Sequence, residues 1–214
     1  MARADVSTIC PGTLFSRAFP YAPGQLELIG NKEILSTSSV GLLCSNRPPG
    51  TLVLRTFDLF QRIKRTDHTV VGGFHSPMER QCLDLLLEGT ARVIVVPARG
   101  LASFRLPAAW KARYEEGKLA IVSPFPRRVR RASRALAEQR NLCVAFLAAR
   151  LFVPFASPGG LTERIALQTA AAGTPVLTFD VLENAALLRQ GAGLIESEET
   201  NHYLEAQDDV CGSE

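Results

Sequence analysis

Short apolar runs alternate with helix-like segments along most of this chain, and this alternation constrains the fold more than any other feature. Six apolar runs are predicted strands, at 40–44, 69–71, 92–96, 119–122, 151–155 and 175–179, and a further short strand is predicted at 25–29. Helices are predicted at 52–64, 77–87, 108–116, 127–147, 165–172 and 182–190. Strands that alternate with helices form a parallel sheet, because each helix carries the chain back to the same edge.

This pattern predicts one α/β domain. We expect a doubly wound, mostly parallel sheet of about six strands with helices on both faces. Residues 36–196 would form this domain, residues 1–35 an extended lead-in, and residues 197–214 an acidic tail that we expect to be flexible. Ligands of such sheets bind at the carboxyl ends of the strands, so the loops that follow the strands are the candidate site.

The composition excludes several classes of protein. The chain has 214 residues, of which 46% are hydrophobic and 21% charged, as in an ordinary globular protein. The net charge of +3 means that any nucleic-acid surface must come from local clusters of basic residues. The five cysteines form no Cys-x-x-Cys pair and the three histidines lack metal-ligand spacing, so we expect no disulfide, metal or cofactor. Without a signal peptide or a bilayer-length apolar run, a cytoplasmic location is expected.

A glycine turn joins the predicted strand at 151–155 to the next helix. Its residues are Ser157-Pro158-Gly159-Gly160-Leu161-Thr162-Glu163. A strand, a glycine turn and a helix start present backbone N–H groups to an anion, which suits phosphate. Thr162 is the predicted helix cap, and Glu163 would lie in the first turn, where the helix dipole favours a carboxylate. An ordinary turn with a good cap is the alternative.

Four other loops follow predicted strands and would meet at the same edge of the sheet. They are 45–47, 72–76, 97–100 and 123–126, and most contain Gly, Ser or a positive charge, as a phosphate site requires. Phe74 and Phe125 are the aromatic candidates for base stacking in these loops, and burial in the core is the alternative for both. Ser76 precedes Pro77 and is the predicted cap of the helix at 77–87.

The segment at 127–147 is predicted to be one long helix or two abutting ones with a basic outer face. At about 100° per residue, an apolar sector opposes an arginine sector: Val129, Leu136, Cys143 and Leu147 against Arg127, Arg130, Arg131 and Arg134. Such a face attracts a phosphate backbone, and a solvated surface is the alternative. Arg140 falls in the apolar sector, where a guanidinium needs a carboxylate, carbonyl groups or a bound anion. A salt bridge to Glu79 or Glu163 is its structural alternative.

Five motifs, in order along the chain, resemble the core domain of the DNA-processing protein A (DprA/Smf) family. They are LELIGN at 26–31 with VGLLCSNR at 40–47, GGFHSPME at 72–79, RNLCVAFL at 140–147, SPGGLTERIA at 157–166 and NAALLRQGAGLI at 184–195. The resemblance covers residues 25–196. Cys44, Ser76 and Leu142 stand where the family pattern has a glycine and two arginines, so the chain resembles a compact, divergent member.

The resemblance implies a Rossmann-like core of the SLOG superfamily that binds single-stranded DNA through a basic pocket. It implies a non-catalytic role in DNA processing and recombination, a homodimer and a RecA-type recombinase as partner. By position in the motifs, Arg47, Arg140 and Asn141 would contact phosphate, and Gly73 and Gly159-Gly160 would allow close backbone approach. The full set of candidate phosphate or nucleic-acid contacts is Ser45, Asn46, Arg47, Gly73, Phe74, Ser76, Arg127, Arg128, Arg140, Asn141, Ser157, Gly159, Gly160 and Thr162.

A nucleotide-binding protein is the alternative function. The same superfamily contains LOG-type phosphoribohydrolases, whose signature resembles 158–163 except that this chain lacks the glycine before Thr162 and has its glutamate too early. In a hydrolase of nucleoside monophosphates, Glu163 or Glu79 would polarise the ribose and Arg140 would hold the 5′-phosphate. A nucleotide sensor without turnover is the other form of this alternative.

Overall fold

The computed structural model describes residues 6–11, 19 and 21–195, and within them nine strands form one sheet. The strands are β1 (Ser7–Ile9), β2 (Leu26–Gly30), β3 (Ser39–Leu42), β4 (Thr69–Gly72), β5 (Arg92–Val95), β6 (Leu119–Ser123), β7 (Arg150–Val153), β8 (Val176–Thr178) and β9 (Gly193–Leu194). The α-helices are α1 (Gly50–Ile63), α2 (Pro77–Leu87), α3 (Lys111–Glu115), α4 (Arg134–Leu147), α5 (Leu161–Ala171) and α6 (Ala185–Arg189). Single turns of 3-10 helix cover Lys32–Ser36, Ala108–Trp110 and Leu182–Asn184. The predicted acidic tail, 197–214, lies outside the described residues.

The strand order is β1-β2-β6-β5-β4-β3-β7-β8-β9. From β3 the chain adds β4, β5 and β6 in one direction, and then returns to place β7, β8 and β9 on the other side of β3. All pairs from β6 to β9 are parallel, whereas β1 and β2 are antiparallel to their neighbours. The sheet is therefore doubly wound, with its topological switch point between β3 and β7.

Successive strand residues point to opposite faces of the sheet and build two apolar layers. In β4, Val70 joins the layer beneath α1 and α2, and the next residue, Val71, joins the layer beneath α4 and α5. The two faces are about equally apolar because every central strand is buried on both sides. Helices on both faces and a mostly parallel sheet confirm the predicted fold class.

Two features of the sheet differ from the prediction. It contains nine strands rather than about six, because β1 and β9 are only 3 and 2 residues long and carry no readable periodicity. β2 is the short strand predicted at 25–29, and it pairs with β6 inside the sheet. Part of the predicted lead-in, 1–35, thus contributes two antiparallel strands.

Within the described ranges, no helix has both the length and the apolar character that crossing a membrane requires.

The prediction of a long basic helix at 127–147 is wrong for its first seven residues. The helix α4 begins at Arg134, and Ser133 is its cap, with the hydroxyl accepting from the Leu136 amide. The segment before it follows Pro124 and Pro126 and forms a turn, in which the Val129 amide donates to the Pro126 carbonyl at 2.9 Å. Proline at these positions favours a turn over a helix interior, so the predicted arginine face at Arg127 to Arg131 does not form.

Candidate functional site

One buried carboxylate holds the loops after β3 and β4 together. Glu79, in the first turn of α2, accepts hydrogen bonds from the amides of Cys44 at 3.2 Å, His75 at 3.0 Å and Ser76 at 3.0 Å. The Ser76 hydroxyl accepts from the Glu79 amide at 3.2 Å, which completes a capping box and confirms the predicted cap. These loop amides, which the sequence offers to an anion, therefore bind the protein's own carboxylate.

The glycine turn after β7 is also closed by internal hydrogen bonds. The Gly159 amide donates to Glu163 Oε1 at 3.0 Å, and the Gly160 amide donates to the Ser157 carbonyl at 2.9 Å. Gly160, not Thr162, is the cap residue of α5, and Thr162 is buried within its first turn. The expectation that this turn presents free amides to an anion is thus wrong for Gly159 and Gly160, because Glu163 and the Ser157 carbonyl already accept from them.

The same turn closes the crevice at the switch point between β3 and β7. The Ser157 amide donates to the Ser45 hydroxyl at 2.9 Å, and the Ser45 amide donates to the Phe155 carbonyl at 2.9 Å. Ser45 and Ser157 therefore link the two loops to each other. Asn46 and Arg47 continue from this link into solvent, and both are exposed.

Two residues in the edge loops have backbone in the left-handed region. The φ angle is 59° at Arg47 and 45° at Phe74, values that cost non-glycine residues on the order of 1–3 kcal/mol. The Phe74 ring packs over Gly72, and an added Cβ there would lie 2.9 Å from its Cζ. Phe74 and Phe125 are both buried, so both rings belong to the core, although one side of Phe74 contributes to the pocket described next.

A pocket of about 880 Å³ opens at the carboxyl ends of β4 and β5. Its walls are the loops after these strands, the outer face of α2 and the amino-terminal half of α4. Five arginines and one carboxylate line it: Arg80, Arg99, Arg130, Arg134, Arg140 and Asp84. The amino terminus of α4 adds the positive end of a helix dipole. The pocket is therefore strongly electropositive in a chain whose overall charge is only +3.

Arg140 lies on α4 at the inner end of this cluster and is 6% exposed. Within the described part of the chain its guanidinium forms no ion pair, and its Nε is buried without a hydrogen-bond partner. The expected alternative, a salt bridge to Glu79 or Glu163, does not form. Burial lowers the pKa of Arg140, and the negative charge of Glu79 partly opposes this shift. A buried, unpaired cation facing a pocket is a strong attractor for an anion.

Gly73 gives the Arg140 side chain its space. A Cβ added to Gly73 would lie 2.6 Å from Arg140 Cδ and closer still to the guanidinium. The close approach of the two residues explains why glycine follows β4 at this point. Of the predicted contacts, Gly73, Phe74 and Arg140 are therefore brought together in one pocket.

The lining of the same pocket includes two aromatic rings that the sequence did not predict as contacts. Phe104 and Trp110 are half-buried, with ring centroids 6.4 Å apart and planes inclined by 36°. The Arg99 guanidinium lies over the Phe104 ring at 5.7 Å from its centroid, within the range of a cation–π contact. Arg99 belongs to a loop that the sequence marked, but neither ring does, because both come several residues after the strand end.

Other predicted contacts lie away from the pocket. Arg127 donates from Nε to Glu27 Oε1 at 3.2 Å and from Nη2 to the Val6 carbonyl at 3.3 Å, so it ties the 126–129 turn to the edge of the sheet. Arg128 is exposed on that turn, and Asn141 is half-buried on α4. Arg80 was missed because nothing in sequence distinguishes it from other exposed helix arginines.

The fold is similar to solved structures, although no family model matches the sequence and no curated protein is found as a relative. DNA processing protein A from Helicobacter pylori, whose structure was described for its single-stranded DNA binding mode, matches with a TM-score of 0.72 at 17% identity over 94% of each chain. DNA processing protein A (DprA) from Streptococcus pneumoniae matches with a TM-score of 0.69 at 18% identity, over 86% of this chain and 67% of that one. A molybdenum cofactor binding protein from Rippkaea orientalis matches with a TM-score of 0.53 at 12% identity, over 78% of this chain and 94% of that one. The chain has a DprA-like, Rossmann-like fold.

Proposed function

We propose that this protein is a DprA-like single-stranded DNA-binding protein, and that the arginine pocket at the ends of β4 and β5 holds the phosphates of the strand. The observation that carries the proposal is Arg140, which is 6% exposed, has no partner at Nε among the described residues and lines a pocket with four further arginines. A buried charge without a partner costs stability, so its presence is explained by a ligand that supplies the missing acceptor.

The chemistry of the pocket suits a phosphodiester. Guanidinium groups bind phosphate oxygens in a bidentate fork, and such charge-assisted hydrogen bonds are about twice as strong as neutral ones. Arg140 lies where bulk water competes least, whereas Arg80, Arg130 and Arg134 are exposed and would act by attraction over a longer range. The likeness to the Helicobacter pylori protein, which binds single-stranded DNA, supports this choice of ligand.

A wider role follows from the same likeness. We infer a non-catalytic function in DNA processing and recombination in the cytoplasm, with a RecA-type recombinase as partner and a homodimer as the working form. Pull-down of purified recombinase and light scattering of the purified chain test the last two points separately.

A single nucleotide is the second candidate ligand, because a volume of about 880 Å³ lies in the range of small-molecule sites. Hydrolysis of that nucleotide has less support than its binding. Both candidate carboxylates are engaged elsewhere, Glu79 with three loop amides and Glu163 with the Gly159 amide, and neither lines the pocket.

Fluorescence anisotropy of a labelled oligo-dT strand tests the proposal. We expect binding that weakens as salt rises from about 50 to 200 mM, with a slope of roughly −0.7 in log K against log salt for each phosphate contacted. Arg140→Met should reduce affinity at every salt concentration. The matched control is Arg65→Met, since Arg65 is exposed at the amino-terminal end of β4, on the opposite edge of the sheet.

Three outcomes decide between the ligands. Salt-dependent binding that Arg140→Met weakens and Arg65→Met does not supports the proposal. Competition by a mononucleotide as strong as that by the whole strand would favour the nucleotide sensor. Absence of salt-dependent binding, or equal loss in both variants, would reject the pocket as a phosphate site.

A further inference from the structure

We propose that Phe104 and Trp110, with Arg99, form a platform on which one unpaired nucleobase stacks while its phosphate is held by Arg140. This inference rests on the proposed function, because it concerns the base attached to a phosphate in the same pocket. It assigns a binding role to two residues that neither the motifs nor the comparisons indicate.

The two rings pack against each other. Their centroids are 6.4 Å apart at an inclination of 36°, within the range in which aromatic side chains pack against each other. The Arg99 guanidinium covers part of the Phe104 ring at 5.7 Å from its centroid. An arginine on an aromatic ring provides both a stacking partner and a positive charge, which together suit a nucleobase and its phosphate.

Hydrogen bonds fix the segment that carries these residues. The Ser123 hydroxyl donates to the Arg99 carbonyl at 2.8 Å, and the Gly100 amide donates to the Val129 carbonyl at 2.8 Å. The Leu101 amide donates to Glu27 Oε2 at 2.9 Å. The backbone from Arg99 to Leu101 is therefore held by three different parts of the fold, and the Phe104 amide donates to the Leu101 carbonyl at 2.9 Å. The loop that carries Arg99 and leads to Phe104 is thus positioned before any ligand arrives.

Each ring is partly buried against the core and partly accessible from the pocket. Phe104 and Trp110 pack against the apolar layer under α1 and α2, yet both line the pocket and stay half-buried. The pocket lining thus combines arginines with two aromatic rings. Inorganic phosphate would need only the arginines, whereas a nucleotide of a single strand presents both a phosphate and a flat apolar base. In a duplex the base is paired and stacked, so the platform also favours single strands.

The fluorescence of Trp110 tests this inference directly, because it is the only tryptophan in the chain. We expect oligo-dT to quench this fluorescence, and an abasic strand with the same number of phosphates to leave it nearly unchanged. From the strength of base–aromatic stacking, oligo-dT should bind roughly 5- to 150-fold more tightly than the abasic strand.

A pair of variants provides the control. Phe104→Leu should lower affinity for oligo-dT more than affinity for the abasic strand, so the ratio of the two affinities should fall toward one. Phe57→Leu removes a half-buried ring from the same apolar layer, but on α1 and outside the pocket, and should preserve the difference between the two strands. Thermal melting of both variants shows whether the fold is retained, and quenching of the wild type gives an answer that needs no variant.

The outcomes separate this inference from the proposed function. Equal affinity for both strands, no quenching and no effect of Phe104→Leu would overturn the platform while phosphate binding stood. Failure of both strands to bind in a salt-dependent manner would instead reject the proposed function, and the platform with it. Quenching by oligo-dT alone, lost affinity in Phe104→Leu and unchanged affinity in Phe57→Leu would establish it.

Discussion

Replacement of Arg140 by methionine distinguishes a binding residue from a structural one. Methionine is unbranched, of similar length and favourable in a helix, so it fills the space beside Gly73 without the charge. If Arg140 serves a ligand, its removal should weaken binding and leave the free protein at least as stable. If Arg140 serves the fold, its removal should destabilise the free protein.

The structure sets the sign and size of both effects. Arg140 is 6% exposed, and its Nε has no hydrogen-bond partner in the part of the chain that the structure describes. Replacement of buried charged groups by apolar ones of similar volume is often neutral or stabilising by about 1–4 kcal/mol. The nearby Glu79 keeps its three amide donors in the variant, so it is not left unsatisfied. Since the attraction of Glu79 for Arg140 is lost, we expect the low end, a gain of about 1 kcal/mol, or about 2–4 °C in melting temperature.

We expect the same variant to change the free energy of ligand binding by more than it changes stability. Hydrogen bonds to charged groups contribute about 1.5–3 kcal/mol each, so Arg140→Met should raise the Kd for oligo-dT by roughly 10- to 150-fold. Differential scanning calorimetry gives the stability of the free protein, and fluorescence anisotropy gives the Kd. In Arg65→Met, both values should stay near those of the wild type.

One result would refute this reasoning: a variant that melts several degrees lower and binds oligo-dT as before. Arg140 would then stabilise the loops through the field of Glu79, and the pocket would bind nothing through it. A variant that is both less stable and weaker in binding would place part of the effect in the fold, and Phe104→Leu would then become the cleaner probe of the pocket.

Three further predictions concern Gly73, Glu79 and the cysteines. Gly73→Ala places a methyl group 2.6 Å from Arg140 Cδ and should displace the guanidinium and weaken oligo-dT binding by anisotropy, whereas Gly50→Ala, with nothing within 4 Å, should not. Glu79→Gln should lower the free energy of unfolding in urea by about 2–3 kcal/mol, because the carboxylate accepts three amide hydrogen bonds; a loss under about 0.5 kcal/mol, the size of an ordinary surface change, would contradict that role. At pH 8, iodoacetamide should modify the exposed Cys10 before Cys44, Cys82 and Cys143. Burial raises the pKa of these last three thiols, to about 12 for Cys44, so little reactive thiolate is present. Peptide mapping by mass spectrometry gives the order of modification.

The fold was largely predictable because its signals are local. The apolar spacing together with Ser76 and Pro77 gave both ends of α2, and the short apolar runs gave the central parallel strands. In each case the residues that determine the element lie within it or next to it. The prediction failed at 127–133, because a helical wheel presupposes that the segment is helical. Pro124 and Pro126 instead lead into a turn, and the helix begins only at Arg134.

The site was less predictable because its determining contacts are distant in sequence. Arg127 looks like a free cation until the fold brings it to Glu27, 100 residues away. Arg140 looks like a partner for Glu79 or Glu163 until each carboxylate is seen to accept from loop amides. Charge pattern locates arginines, but only the structure shows which of them remain unpaired.

The carboxylates at this edge explain where the site lies. Glu79 and Glu163 satisfy amides of the loops after β3, β4 and β7, the groups from which a backbone phosphate site at the switch point would be built. With those amides engaged, five arginines without an ion pair among the described residues gather on the β4 side of β3, at the ends of β4 and β5. Binding by side chains differs from binding by amides in one measurable respect. An amide site survives single substitutions, whereas the affinity of this pocket should fall with each arginine removed, and the salt dependence should fall with it.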